Sequence, residues 1–310
     1  MTNNQKQLDT PNNQSQNSEV VLNMDTKPDV SHEILAKWQK IVDLLAHTIG
    51  VPAGLVMRVH PEEIEVFVSS KTENNPYTVG AKEHLNSGLY CETVMEERGN
   101  LLVPNALEDP EWDSNPDIPL NMISYLGFPL IWPDNKVFGT VCVLDNKTNA
   151  YSSEYIALVQ QFSEIINDDL ELLIERARRQ QAEEKLNERN KLFKLAFDSS
   201  PDAINLNRFS DGLYLDVNNG FCDIMGYEYE DVVGKTSLEL DIWVRSEDRQ
   251  KLIDYLRRDG FVNNLEINFV RKDGEIVIGS MSARVLSYAG EDVILSTTRD
   301  ITKYKRALDD

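Results

Sequence analysis

The stretch Tyr125-Leu126-Gly127-Phe128-Pro129-Leu130-Ile131-Trp132, then Pro133-Asp134-Asn135-Lys136, then Val137-Phe138-Gly139-Thr140-Val141-Cys142-Val143-Leu144 is two apolar runs around four turn-forming residues. Proline presets φ, and Asp and Asn side chains hydrogen-bond their own backbone in turns. The whole therefore reads as a β-hairpin. Upstream, Ala53–Val59 and Ile64–Ser69 read as a second strand pair around His60-Pro61-Glu62-Glu63, and Leu101–Val103 as a short strand. A helix opens at Ser31, carries Leu35, Trp38, Val42, Leu45 and Ile49 at helical spacing, and stops at Gly50. A polar loop runs to Gly80, residues 87–98 read as a helix, and Asp109-Pro110-Glu111-Trp112 through Pro119 as a loop.

Charge divides the chain further. Of 310 residues, 31 are Lys or Arg and 52 Asp or Glu, a net of -21. Residues 32–175 hold 8 basic and 23 acidic groups (net -15), and residues 176–310 hold 21 and 25 (net -4). Such a balance opposes nucleic acid, whose affinity comes mostly from phosphate neutralisation, and opposes an anionic membrane surface. With 41% hydrophobic residues, no long unbroken apolar run and no apolar segment in the polar N-terminal stretch, the chain is expected to be globular and cytoplasmic. Three scattered cysteines, Cys91, Cys142 and Cys222, make no disulfide framework. Residues 1–30, rich in Asn and Gln, read as a disordered tail.

From about Ser152 a closing helix places Ile156, Val159, Ile166, Leu170, Leu173 and Ala177 at spacings of three, four and seven, a heptad seam. Residues 176–197 continue as a polar helical linker, readable as a short dimeric coiled coil or as a solvated single helix. A second domain, residues 198–302, follows. Its strands are Ala203–Arg208, Leu213–Asn218, Asn264–Arg271, Glu275–Ser287 and Asp292–Asp300, with turns at Ser210-Asp211-Gly212, Lys272-Asp273-Gly274 and Ala289-Gly290-Glu291. Residues 303–310 read as the start of an output helix, so an effector domain is expected to follow or to be supplied separately.

Ser200-Pro201-Asp202-Ala203-Ile204, Val217-Asn218-Asn219-Gly220-Phe221, Met225-Gly226-Tyr227, Val233-Gly234-Lys235 and Arg299-Asp300-Ile301-Thr302, in that order, resemble a PAS domain. The hairpin quoted first, with Asp145 after it and Tyr151-Ser152-Ser153-Glu154 opening the next helix, makes residues 31–175 similar to a GAF domain. The resemblance implies an α+β chain: two sensor domains, each an antiparallel sheet with flanking helices, joined by a long helical linker. Such pairs commonly stand upstream of histidine kinases or diguanylate cyclases in bacteria.

By resemblance, a GAF ligand sits between the sheet and the segments covering one face, here residues 86–95 and 105–123. Tyr90, Cys91, Trp112, Asn121, Met122 and Tyr125 are the candidate lining residues. Trp112 and Tyr125 read equally as plugs of the core, and Cys91 as core or pocket. In the PAS-like region the candidates are Asn205, Asn207, Phe221, Met225, Trp243, Asn268 and Ser282. The four polar residues among them fall on alternating strand positions that face either inward or to solvent. For signal relay the candidates are Leu170, Leu173 and Ala177 in a dimer seam, and Asp300 with Thr302 at the exit.

The cofactor is left unknown. A haem-binding PAS domain would supply an axial histidine, but His32, His47, His60 and His84 all precede it, so haem there is not expected. Cys222 lacks the Asn-Cys-Arg-Phe-Leu context of flavin-binding light sensors, and neither Cys91 nor Cys142 has a bilin-attachment neighbourhood. No metal cluster, phosphate loop, nucleophile elbow, phospho-acceptor region or cyclase motif is read, so no catalytic domain is expected.

The expectation is a homodimeric sensory module that binds a small molecule or partner and relays a conformational change through its helices to a kinase or cyclase. A ligand-free interaction module is the alternative, and a GAF-type thiol reductase, lacking clustered cysteines, stands third. The long segment Asn105–Ser124, broken by Pro110, Pro116, Pro119 and a flexible Asn115, points to the first domain as the main ligand site. Its charge favours a neutral or cationic ligand, unless that charge is only a solvated shell.

Overall fold

The computed structural model describes residues 27–309. They divide into two compact units at Ala182/Glu183. The tail expected over residues 1–30 lies largely outside the described residues. Lys27 to Val30 lie on the first domain, where Lys27 pairs with Asp134 and Val30 packs against the core.

In the first unit α1 (His32–Ile49) is followed by β1 (Ala53–Val59), β2 (Glu63–Ser69), β3 (Lys82–His84), α2 (Tyr90–Glu97), β4 (Leu101–Val103), β5 (Ser124–Ile131) and β6 (Val137–Asp145). Ser31 caps α1, accepting from the Ile34 amide, and Gly50 ends it in the left-handed region at φ 79°, where a side chain would be strained. The strands form one antiparallel sheet in the order β3-β2-β1-β6-β5-β4. Both faces of β1, β5 and β6 are covered, which is why those strands read as nearly continuous apolar runs rather than alternating ones.

The period of two sorts the side chains between the faces. Val56, Val68, Leu126, Leu130, Val141 and Val143 meet Trp38 and Leu45 of α1 on one side. Leu55, Met57, Ile64, Val66, Tyr125, Cys142 and Leu144 meet α2 and the long loop on the other.

A single helix, α3 (Ser153–Asp198), closes this domain and continues to the next. Its residues Leu170 and Leu173 are buried in the core with Trp38 and Ile41. Asp169, one residue earlier, accepts from Trp38 Nε1 at 2.9 Å and from Lys37 Nζ at 2.7 Å, locking α3 to α1. This corrects the dimer seam expected at Leu170 and Leu173. The heptad spacing is real, but the surface it packs against is the domain's own. Ala177 is half-buried, and beyond it Leu186, Leu192, Phe193 and Leu195 are exposed.

The second unit contains β7 (Ala203–Arg208), β8 (Tyr214–Val217), α4 (Asn219–Met225), α5 (Tyr229–Val232), α6 (Ser246–Asp259), β9 (Phe261–Val270), β10 (Ile276–Tyr288), β11 (Glu291–Asp300) and α7 (Thr302–Asp309). The sheet is antiparallel, in the order β8-β7-β11-β10-β9. Its inner face packs Ala203, Ile267, Phe269, Met281 and Ala283 against Phe221, Met225 and Leu252 of the helices. No helix of the described residues is long and apolar enough to cross a membrane.

Candidate functional site

A cavity of about 200 Å³ lies on the α2 face of the first sheet. Leu55, Met57, Ile64, Val66 and Leu144 on the strands and Leu89 at the start of α2 give it aliphatic walls. Pro76–Thr78 and Ala81–Glu83 form one rim, Pro116 and Leu120 another.

Of the lining residues expected from sequence, Cys91 and Tyr125 reach the cavity. Tyr90 and Trp112 do not. Tyr90 is fully buried between Tyr125 (ring centroids 4.9 Å apart) and Trp112 (5.1 Å), so the aromatic pair backs the wall instead of facing the space. Met122 is core, and Asn121 is an exposed left-handed residue at φ 62° that ends a 3-10 turn. The expected flexibility of Asn115 is also corrected. It is buried, donates to the Gly88 carbonyl at 2.7 Å and accepts from the Asp117 amide at 2.9 Å, pinning the long loop to the entry of α2.

Two features escaped the sequence reading. The first is Asp117, which lines the cavity at 7% exposure. Its Oδ1 accepts from the Tyr77 hydroxyl at 2.6 Å, and among the described residues none donates to Oδ2. Burial pushes its carboxyl up to about 6, with Glu83 adding in the same direction against the Tyr77 hydrogen bond. Burial and the adjacent Asp117 hold the Tyr77 phenol far above its ordinary range.

The second is the meeting of Cys91 and Cys142 on the cavity wall. Thr140 Oγ1 donates to Cys91 Sγ at 3.3 Å, and the Tyr125 hydroxyl lies 3.5 Å from the same sulfur. The hydrogen bond with Cys91 and burial push the Cys142 thiol up. So the cysteines that read as scattered are partly clustered. Strand alternation could have shown this, since it places Cys142 on the same face as Leu144 and Tyr125.

The second domain is tighter. Asn205, Phe221, Met225 and Trp243 line a cavity of only about 30 Å³, room for little more than water. Asn207 is buried on the same face of β7, but it accepts from Asn205 and donates to the Gly212 carbonyl, so its polar atoms are engaged. Asn268 lies on the opposite face from Ile267 and Phe269. Ser282 likewise faces away from Met281 and Ala283, and its hydroxyl accepts from the Asn264 amide at 3.1 Å.

At the exit, Asp300 Oδ1 accepts from the Thr302 amide at 2.8 Å, and Thr302 Oγ1 accepts from the Ile278 amide at 2.9 Å. The first turn of α7 is thereby fixed to β10. Arg299 pairs with Asp202 at 2.8 Å, joining exit to entry within the domain. His60 is half-buried with Nε2 2.8 Å from Glu65. Among the described residues no group of His, Cys, Asp and Glu could hold a metal.

Residues 33–169 match the GAF domain family and residues 201–303 the PAS domain family. A methyl sulfide methyltransferase-associated sensor of Methanosarcina acetivorans is 30% identical over 131 residues, which is 41% of this chain and 13% of that protein. The chain therefore spans about an eighth of that relative's length. The PAS domain of an HTR-like protein from Haloarcula marismortui is 27% identical, covers 39% of this chain and 99% of that one, and superposes with a TM-score of 0.35. The GAF domain of an Acinetobacter phosphoenolpyruvate-protein phosphotransferase is 15% identical over 44% of this chain and 81% of that one, with a TM-score of 0.37.

Proposed function

For this chain, a GAF domain followed by a PAS domain in a sensory module, we propose that the GAF domain is the input: it binds a small molecule in its cavity and biases the helix leaving it. The observation that carries this is the contrast in volume, about 200 Å³ with a buried carboxylate in the first domain against about 30 Å³ in the second. The relay runs along α3, whose Leu170 sits in the GAF core and whose Phe197 carbonyl accepts from Asn218 of the PAS domain. It leaves by the Asp300–Thr302 junction and α7. A ligand shifts such an equilibrium only by binding one of two arrangements better than the other.

The chain itself is read as non-catalytic, with a kinase or cyclase acting downstream, in keeping with a sensor relative much longer than the match. A homodimer is part of the proposal. Leu186 and Phe193, one heptad apart, are 60% and 66% exposed on α3 and would be covered by a second copy. A cytoplasmic setting rests on the three cysteines, all of them free.

The test is hydrogen exchange on the full chain carrying Leu144→Phe, which fills part of the cavity. The proposal expects altered protection in residues 183–198 and 302–309 as well as around the cavity. Changes confined to the first domain would overturn the relay.

A further inference from the structure

We infer that the GAF cavity takes a small organic ammonium ion, an amine on a compact apolar body, with Asp117 Oδ2 as its counter-charge. This rests on the reading of that cavity as the input site. The body of the ligand follows from the walls: Leu55, Ile64, Val66, Leu89 and Leu144 offer only aliphatic surface. An aliphatic cavity of about 150 Å³ accommodates benzene, so about 200 Å³ holds one ring with a short substituent.

The head group follows from Asp117. A carboxylate removed from water is costly unless it is paired and hydrogen-bonded. Tyr77 satisfies one oxygen, no donor to the other is found among the described residues, and Asp117 lines the cavity. Every charged group at the cavity argues for the same sign. Glu83 on the rim is a second acid, and Lys82, the cation lining the cavity among the described residues, has its ammonium 2.9 Å from Glu63. A neutral ligand would leave Asp117 uncompensated, and an anion would be repelled by both acids. A ligand ammonium completes the pair and donates to Oδ2, a charge-assisted hydrogen bond.

Isothermal titration of the full chain at pH 7.5 with benzylamine, benzyl alcohol and benzoate separates the possibilities, since the three share a ring and differ in charge. Benzylamine is expected to bind about tenfold or more tighter than benzyl alcohol, the usual worth of a hydrogen bond to a charged group, and benzoate more weakly than either. In Asp117→Asn, which keeps an acceptor for Tyr77, the ratio of benzylamine to benzyl alcohol should fall to about one. The wild-type ratio is a test whether or not that variant folds. Benzyl alcohol or benzoate binding as well as benzylamine would overturn the ammonium and leave the cavity as an input site. A preference for benzylamine that survives Asp117→Asn would overturn the assignment to Asp117. Silence from all three probes would overturn both the ammonium and the reading of the cavity as the input.

Discussion

Asn218 donates through Nδ2 to the carbonyl of Phe197 at 2.9 Å, tying the N-cap of α4 to the last turn of α3. The same amide also donates to the carbonyls of Asp202 (3.0 Å) and Ser200 (3.3 Å), and its oxygen accepts from the amides of Ile204 and Phe221, both at 2.8 Å. Asn218 itself is 1% exposed, so its amide makes these bonds away from bulk water.

Asn218→Ala is therefore expected to destabilise the PAS domain by about 3 kcal/mol, the sum of a lost cap and unsatisfied buried groups. It should also free the end of α3. Hydrogen exchange at residues 190–198 should rise more than in a variant of equal stability cost elsewhere in that domain, such as Leu252→Ala. Equal exchange in the two variants would remove Asn218 from the relay.

The Tyr125 ring lies over Gly127. A Cβ at Gly127 would fall 2.1 Å from the Tyr125 hydroxyl and 2.5 Å from its ring carbon. Tyr125 is fully buried and stacked on Tyr90, so it has nowhere to move. Gly127→Ala should cost about 1–3 kcal/mol by overpacking and displace the hydroxyl from Cys91. Chemical denaturation of the full chain, following the transition of the first domain, checks the cost. A melt unchanged from wild type would contradict the packing described.

How much of this was legible depends on whether local pattern or tertiary placement decides the residue. The strands of both sheets follow from apolar runs bounded by turns, and α1 from its cap, stripe and glycine. Strand β3 did not show, because Lys82-Glu83-His84 is an exposed polar edge strand that pairs only with β2. Asp117 could not be told from the other acids of its loop, since burial is conferred by Tyr77 from a distant segment. For Leu170 and Leu173 the spacing gave the right face of α3. Heptad spacing is the same whether the partner is a second copy or the domain's own α1.

That distinction gives a prediction. Leu170 is fully buried, so Leu170→Glu places a charge in the core and should unfold the GAF domain, at a cost of about 4 kcal/mol or more. The pair Leu186→Glu and Phe193→Glu, on exposed α3, should leave the melting of both domains unchanged and shift sedimentation toward the monomer. An unchanged sedimentation coefficient for the double variant would remove the proposed dimer surface.

The last prediction concerns the pH dependence of Asp117. Its carboxyl titrates at about 6 in the folded chain, against 3.8 without the fold. Between those values the folded state holds a proton that the unfolded state has lost. Stability from this group therefore rises as pH falls through about 6 and levels off below about 4, and ionisation costs stability at pH 8. Two pKa units correspond to about 3 kcal/mol, an upper bound for the effect. Other groups around it are Tyr77, which donates to it, Glu83, which opposes its ionisation, and Lys82, held by Glu63. They remain in Asp117→Asn, which removes the carboxylate charge and with it the titration. Melting temperatures of the wild type and of Asp117→Asn, compared at pH 8 and pH 5, should show the variant gaining on the wild type at pH 8 and losing part of that gain at pH 5. A difference between the two proteins that does not change over this range would show that Asp117 is not held as a strained carboxylate, and the pairing proposed for it with an ammonium would lose its driving force.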